Sequence, residues 1–124
     1  MGLERINPDN VWPVPGYSHV VKAGNTIYIA GQVARKSDGS VVGSDIETQT
    51  DQVFQNLLSC LHSAGAGVED LVKITVYLTD RNDTPRFMAV KDKYLTNNLP
   101  TQTVLIVGLG PEFKLEVEAI AVIS

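Results

Sequence analysis

Cysteine is almost missing from this chain. Cys60 stands alone, so no disulfide can form within one copy, and a reducing compartment is the simplest setting. Basic residues are also few: 10 Lys and Arg against 14 Asp and Glu give a net charge of −4. Nucleic-acid binders draw most of their affinity from neutralising phosphates, so an acidic chain without a basic stripe argues against that partner. No apolar run approaches the roughly 20 residues that a membrane-spanning helix needs. The opening MGLERINPDN carries no apolar signal core, and Ile6 stands where a myristoylation pattern after Gly2 needs Ser or Thr. Neither nucleic acid nor membrane is expected as a partner, and a cytoplasmic location follows. Histidine is scarce too. His19 and His62 show no zinc spacing with Cys60, and Asp80, Asp83 and Asp92 fit no calcium loop. Gly108-Leu109-Gly110 lacks the strand and helix that flank a phosphate loop. No metal and no cofactor are expected.

What is present suits one domain spanning residues 1–124. An apolar fraction of 44% with 19% charged residues is ordinary for a globular chain. A domain of this length buries roughly two-thirds of its unfolded surface, enough for a core without staples. Pro8, Pro13 and Pro15 mark Asn7 to Gly16 as an irregular arm. His19–Lys22 and Thr26–Ala30 are short β-rich runs around Gly24-Asn25, a hairpin signal. Asp38-Gly39 marks a turn before Val41-Val42, a candidate third strand.

From Asp45 the period changes to helical, with Val53, Leu57, Leu61 and Ala64 in register and Phe54 and Leu58 widening the stripe. Asp45 or Thr48 caps its start, and Gly65 and Gly67 stop it. Lys73–Leu78 alternates as a strand. Asp83-Thr84-Pro85 reads as an N-cap region with proline in the first turn, and Phe87, Val90 and Tyr94 give the second helix its apolar face. Thr103–Val107 and Leu115–Ile123 complete the strands. The expected class is α+β: one mixed sheet of about six strands with two helices on one face. Ile74, Val76 and Leu78 point away from Lys73, Thr75 and Tyr77, while Val104 to Val107 is apolar on both faces. Helices enough for one face leave the other to be covered by a second copy, so oligomerisation is expected.

Gly16-Tyr17-Ser18-His19, followed by Gly24-Asn25-Thr26-Ile27-Tyr28-Ile29-Ala30-Gly31-Gln32, resembles the opening of the RidA/YjgF (reactive intermediate deaminase) family, also described as endoribonuclease L-PSP or translation initiation inhibitor. The helix carrying Gln49, Thr50, Gln52, Asn56, Leu57 and Leu61 is similar to the family's first helix. Lys73–Asp80 is similar to its central strand, and Leu115–Ala121 to its terminal "IEIEAIA" strand. The likeness runs in order along nearly the whole chain. It implies a chorismate-mutase-like fold and a homotrimer with a barrel core and three clefts between subunits. The activity it implies is hydrolysis of small imines or enamines to ketones and ammonia. An arginine after the second helix would hold the substrate carboxylate, a glutamate on the last strand would handle water, and backbone near the "SGQ" glycine would hold the ligand.

Carried over residue by residue, the resemblance makes Glu116 the catalytic acid and Tyr17 a lid over the ligand. Ala30, Gly31, Gln102 and Val104 join as substrate contacts. A carboxylate can take a proton from water attacking a C=N carbon. Read from spacing alone, Glu116 and Glu118 are two solvent-facing acids on one strand face. Likewise Tyr17 is a packed loop aromatic, Gly31 a bulge, His19 a hydrogen-bonded strand residue and Cys60 an inert thiol. Ala30 stands where serine is common in the family. The main departure is Gln102, which occupies the arginine's place in Pro100-Thr101-Gln102-Thr103. A neutral amide replaces a two-pronged cation, a loss on the order of 10-fold to 1,000-fold in carboxylate affinity. Deamination of 2-imino acids is thereby put in doubt, and an uncharged or differently charged small ligand is the expectation. The alternatives are a non-catalytic binding or regulatory trimer, and a ribonuclease or translation inhibitor, which the acidic balance disfavours.

Overall fold

The computed structural model describes residues 2–124. In chain order the elements are β1 (Leu3–Ile6), β2 (Val20–Ala23), β3 (Thr26–Gln32), α1 (Ile46–Ser63), β4 (Leu71–Leu78), α2 (Thr84–Tyr94), β5 (Thr101–Ile106) and β6 (Leu115–Val122). The six strands form one sheet in the order β1-β2-β3-β6-β4-β5. β5 runs parallel to β4, and every other neighbouring pair is antiparallel. The α+β class and the helix-on-sheet layering are as the sequence indicates.

The sixth strand differs. The segment expected as a strand at Val41-Val42 makes only an isolated bridge between Arg35 and Val41, because the Asp38–Gly39 turn binds it locally. The additional strand is β1, which pairs Leu3–Ile6 with Val20–Ala23 at the sheet edge. Its Glu4 and Arg5 gave no β signal, since an exposed edge strand needs no apolar alternation.

Local rules place α1 well. Asp45 Oδ2 accepts from the Thr48 amide at 2.9 Å, satisfying one of the free donors at the helix start. At the other end Gly65 takes a left-handed φ of 80°. The Gly65 amide returns to His62 O and the Ala66 amide to Leu61 O, a Schellman closure. α2 begins otherwise: Asp83 sits at the N-cap, but its carboxylate takes Arg86 at 3.0 Å instead of a helix amide. Pro85 occupies the first turn.

Both helices lie on one face of the sheet. Val53, Phe54, Leu57 and Leu61 of α1 and Phe87 of α2 meet Ile27, Ile29, Ile74, Val76, Leu78, Leu115 and Val117 in a single buried cluster. Phe54 stacks on Tyr94 at 5.3 Å between ring centroids, locking the helices together. Cys60 is fully buried here, and desolvation pushes its thiol up to about 12. The far face carries Tyr28, Leu105 and Val122, all exposed, alongside Lys73, Thr75, Tyr77 and Glu118. No helix among the described residues is long and apolar enough to cross a membrane.

Candidate active site

The site begins at an irregularity in β3. Its pairing with β6 runs in register from Thr26 to Ile29, then shifts before Gln32 meets Val117. The bulge therefore contains Ala30 and Gly31. Such an insertion bends the strand and re-aims its side chains. Gln32 swings into the interior, where its Nε2 donates to Ala30 O at 3.0 Å and approaches His19 Nδ1 at 3.1 Å. Nδ1 thus accepts, so His19 Nε2 carries the proton and donates to Trp12 O at 2.7 Å. This chain of bonds ties the proline-rich arm to the bulge. His19 is buried and serves the structure.

The tied-down arm and the bulge enclose a cleft of about 240 Å³. Val11, Trp12 and Val14 line it from the arm, Tyr17 and Gly31 from the sheet end, and Arg35 and Asn56 from beyond the bulge. Glu116 lies against its Gly31 wall. A Cβ added to Gly31 would overlap the Glu116 carboxylate, 2.6 Å from Cδ. The glycine is needed because a carboxyl group occupies the space a side chain would take.

Electrostatics at this point are unusual for a strand acid. Burial pushes the Glu116 carboxyl up from its ordinary value, and the neighbouring Glu118 adds to it. Glu118 itself is exposed and hydrogen-bonded by the Tyr77 hydroxyl, across the β4–β6 pair on the far face. The two acids thus have different surroundings: one half-buried beside a cleft, one solvated and partnered. Tyr17 is 54% exposed, with its ring edge against His19 at 6.1 Å. Its phenol is pushed up by burial first and by Glu116 second, with Arg35 opposing.

Of the residues expected at the site, Tyr17, Gly31 and Glu116 come together. Ala30 stands in the bulge, its N–H bound to His19 O at 2.9 Å and its carbonyl to Gln32. Gln102 and Val104 lie elsewhere in the same chain. They pair with Ile74 and Val76 of β4 and so face the helices. Glu116 pairs with Tyr77 and faces the opposite way. Gln102 Nε2 reaches Met88 Sδ at 3.4 Å, while its Oε1 is buried without a partner.

The acid-bearing strand β6 is held in place from behind. Gln49 of α1 is fully buried; its Nε2 donates to Gly43 O and Glu112 O, and its Oε1 accepts from the Lys114 amide at 2.8 Å. Two of those bonds fix the chain just before β6 and therefore fix Glu116. Arg35, Trp12 and Asn56 have no counterpart in the sequence reading as site residues. Only Asn56 left a signal, as one of the residues by which the first helix resembles the family's.

The chain and its fold are similar to known proteins. Residues 9–123 match the model of the family described as Endoribonuclease L-PSP. A RutC family protein of Pyrococcus horikoshii is 38% identical over 111 residues, covering 88% of each chain. A 2-iminobutanoate/2-iminopropanoate deaminase of Rattus norvegicus is 33% identical over 88% of this chain and 81% of its own. The crystal structure of RidA from an Antarctic Psychrobacter superposes with a TM-score of 0.91 at 31% identity, covering 97% of this chain and 99% of that one. The chain belongs to the endoribonuclease L-PSP family, the RidA/YjgF family, and has its fold.

Proposed function

We propose that this protein is a cytoplasmic hydrolase of small imines or enamines, acting in the cleft beside Glu116. The observation that carries the reading is the Glu116 carboxyl, half-buried against Gly31 with its proton affinity raised. A carboxylate so placed is a better base than a solvated one, and its titration moves toward working pH. In the reaction, Glu116 takes a proton from water as the oxygen adds to the carbon of a protonated imine, whose nitrogen takes up the C=N electron pair and becomes a neutral amine. Glu116 then returns that proton to the nitrogen, and the C–N bond of the carbinolamine breaks as the hydroxyl proton passes to the Glu116 carboxylate, leaving a ketone and ammonia, with the iminium's extra proton finally held by Glu116 and released to solvent. Atoms and charge balance without a cofactor. Tyr17, with an exposed ring and a polar tip, is suited to cover the ligand.

The same reading includes a homotrimer. Gln102 and Glu116 occupy opposite faces within one chain, so a cleft holding both would need Gln102 from a second copy. Exposed Tyr28, Leu105 and Val122 on the uncovered sheet face favour such packing, as does the unpaired outer edge of β5. A species of three times 13.4 kDa by light scattering is the expected result. Ammonia release from 2-iminobutanoate formed in situ tests the chemistry. Glu116→Gln should lower kcat on the order of 10²- to 10⁴-fold. Undiminished turnover in that variant would refute the reading; saturable binding with no turnover by the wild type would make the protein a binder instead.

A further inference from the structure

Glu116 and Glu118 stand on one face of β6, with the buried Val117 turned the other way between them. Two such positions along a strand are roughly 7 Å apart, close enough for their charges to interact. β4 runs beside them, with Tyr77 paired to Glu116 and Thr75 paired to Glu118. The Tyr77 hydroxyl nevertheless donates to Glu118 Oε1, a diagonal bond across the β4–β6 pair. An exposed carboxylate left to itself turns outward to water. This one is drawn along the ladder by a phenol rooted directly opposite Glu116.

No described cation pairs with either acid. The two ion pairs among the described residues are Arg86–Asp83 and Lys91–Asp92. Lys73 shares the face but pairs with Ile120, further along β6 and away from Glu116. β3 brings Tyr28, also opposite Ile120, and the bulge at Ala30 and Gly31. β5 brings the apolar Leu105 beside Tyr77. From the arm, the Tyr17 phenol feels Glu116, with Arg35 opposing. Burial is the first cause of the raised Glu116 carboxyl and Glu118 the second. The Tyr77 phenol is pushed up in turn, first by its bond to Glu118, then by burial and by both acids, so it keeps the proton it donates.

We propose that Glu118, anchored by Tyr77, is a positioning residue for the hydrolysis, holding a negative charge near Glu116 and so making Glu116 the stronger base. This rests on the hydrolase reading above and adds the group that tunes its base. Glu118 acts through Glu116 and not on the ligand. A like charge disfavours ionisation of its neighbour, and a carboxylate of higher proton affinity takes a proton from water more readily. Exposure divides the two roles. Glu116 is half-buried against Gly31, while Glu118 is exposed and would swing into solvent without the phenol.

The test reads the Glu116 carboxyl directly, by NMR titration of the full chain carrying isotope-labelled glutamate, its signal assigned by its loss in Glu116→Gln. Glu118→Gln should lower the titration midpoint by about 0.4–0.9 of a pH unit, the Coulomb effect of two largely solvated charges roughly 7 Å apart. Tyr77→Phe should lower it by less, because the freed Glu118 turns to water but keeps its charge. Raising salt from about 0.05 M to about 0.5 M should bring the wild-type midpoint down toward that of Glu118→Gln, whose own midpoint should move little. Glu4→Gln removes an equal charge from the β1 edge and should change nothing. An unmoved midpoint in Glu118→Gln, an equal shift in Glu4→Gln, or a Tyr77→Phe midpoint at the wild-type value overturns the proposal. Turnover separates the tuning from the hydrolase reading. The acid limb of kcat/KM for 2-iminobutanoate should move down together with the carboxyl midpoint. If the midpoint shifts while the acid limb stays, Glu116 is not the base and the coupling of the two acids stands.

Discussion

Gly31→Ala isolates the contact on which the proposed hydrolysis turns. Gly31 is not among the glycines with left-handed φ, so alanine meets no backbone strain there. The added methyl would nevertheless fall 2.6 Å from Glu116 Cδ and 2.9 Å from Cγ, against an ordinary contact of 3.4–4 Å. The carboxylate must retreat by about 1 Å. Because it ends a flexible side chain, it can swing aside, placing the steric cost near the low end of overpacking, about 1 kcal/mol. Removing a glycine from the unfolded chain returns roughly 0.4–1 kcal/mol. Stability should therefore change by less than about 1 kcal/mol. Activity should not be spared, since misplacing a catalytic group by about 1 Å can cost on the order of 100-fold. Denaturant unfolding and ammonia release, measured on one preparation, check both halves. Combining the substitution with Glu116→Asp, which shortens the acid by one methylene, should recover part of the lost rate. A Gly31→Ala protein with kcat within about threefold of wild type would refute the placement of Glu116 as the base.

Two further outcomes follow from the same geometry. Glu116 has a raised pKa in the folded state, so the folded protein keeps that proton longer than the unfolded chain does. Its contribution to stability is full below the ordinary carboxylate range and is lost as pH rises through the raised value. Glu116→Gln should therefore raise Tm near pH 7 relative to wild type, with the gain shrinking toward about pH 4; a gain independent of pH would contradict the linkage. Gln49→Ala removes three buried hydrogen bonds and strands their backbone partners, which should cost about 2–4 kcal/mol in urea unfolding. It should also lower kcat without removing any group near the ligand.

Much of this architecture was legible because period and burial agree. Lys73–Leu78 and Leu115–Ile123 alternate cleanly, and α1 carries its stripe, cap and stop in sequence. β1 was not legible, because an edge strand of Leu, Glu, Arg and Ile takes its conformation from the partner it pairs with. Tyr17, Gly31 and Glu116 were reachable through resemblance, and the structure adds the reason for the glycine. Arg35 was not. Alternation ends at the bulge, so spacing says nothing about where the next residues point. The approach of Trp12 and Phe113 to Arg35 depends on chain segments 23 and 78 positions away along the sequence. Gln102 shows the reverse limit: its place along the chain was evident, but the side of the sheet it faces followed only from register.

The Gln49 bracket also decides which part of the chain is free to vary. It seizes the segment at Glu112 and Lys114, downstream of the exposed Gly108 and Gly110. Residues added or deleted around Gly108 are therefore absorbed before the anchor and leave the phase of the last strand untouched. That loop from β5 to β6 is a natural port for grafting a fluorophore tag or a recognition peptide, where cargo can be carried without moving Glu116.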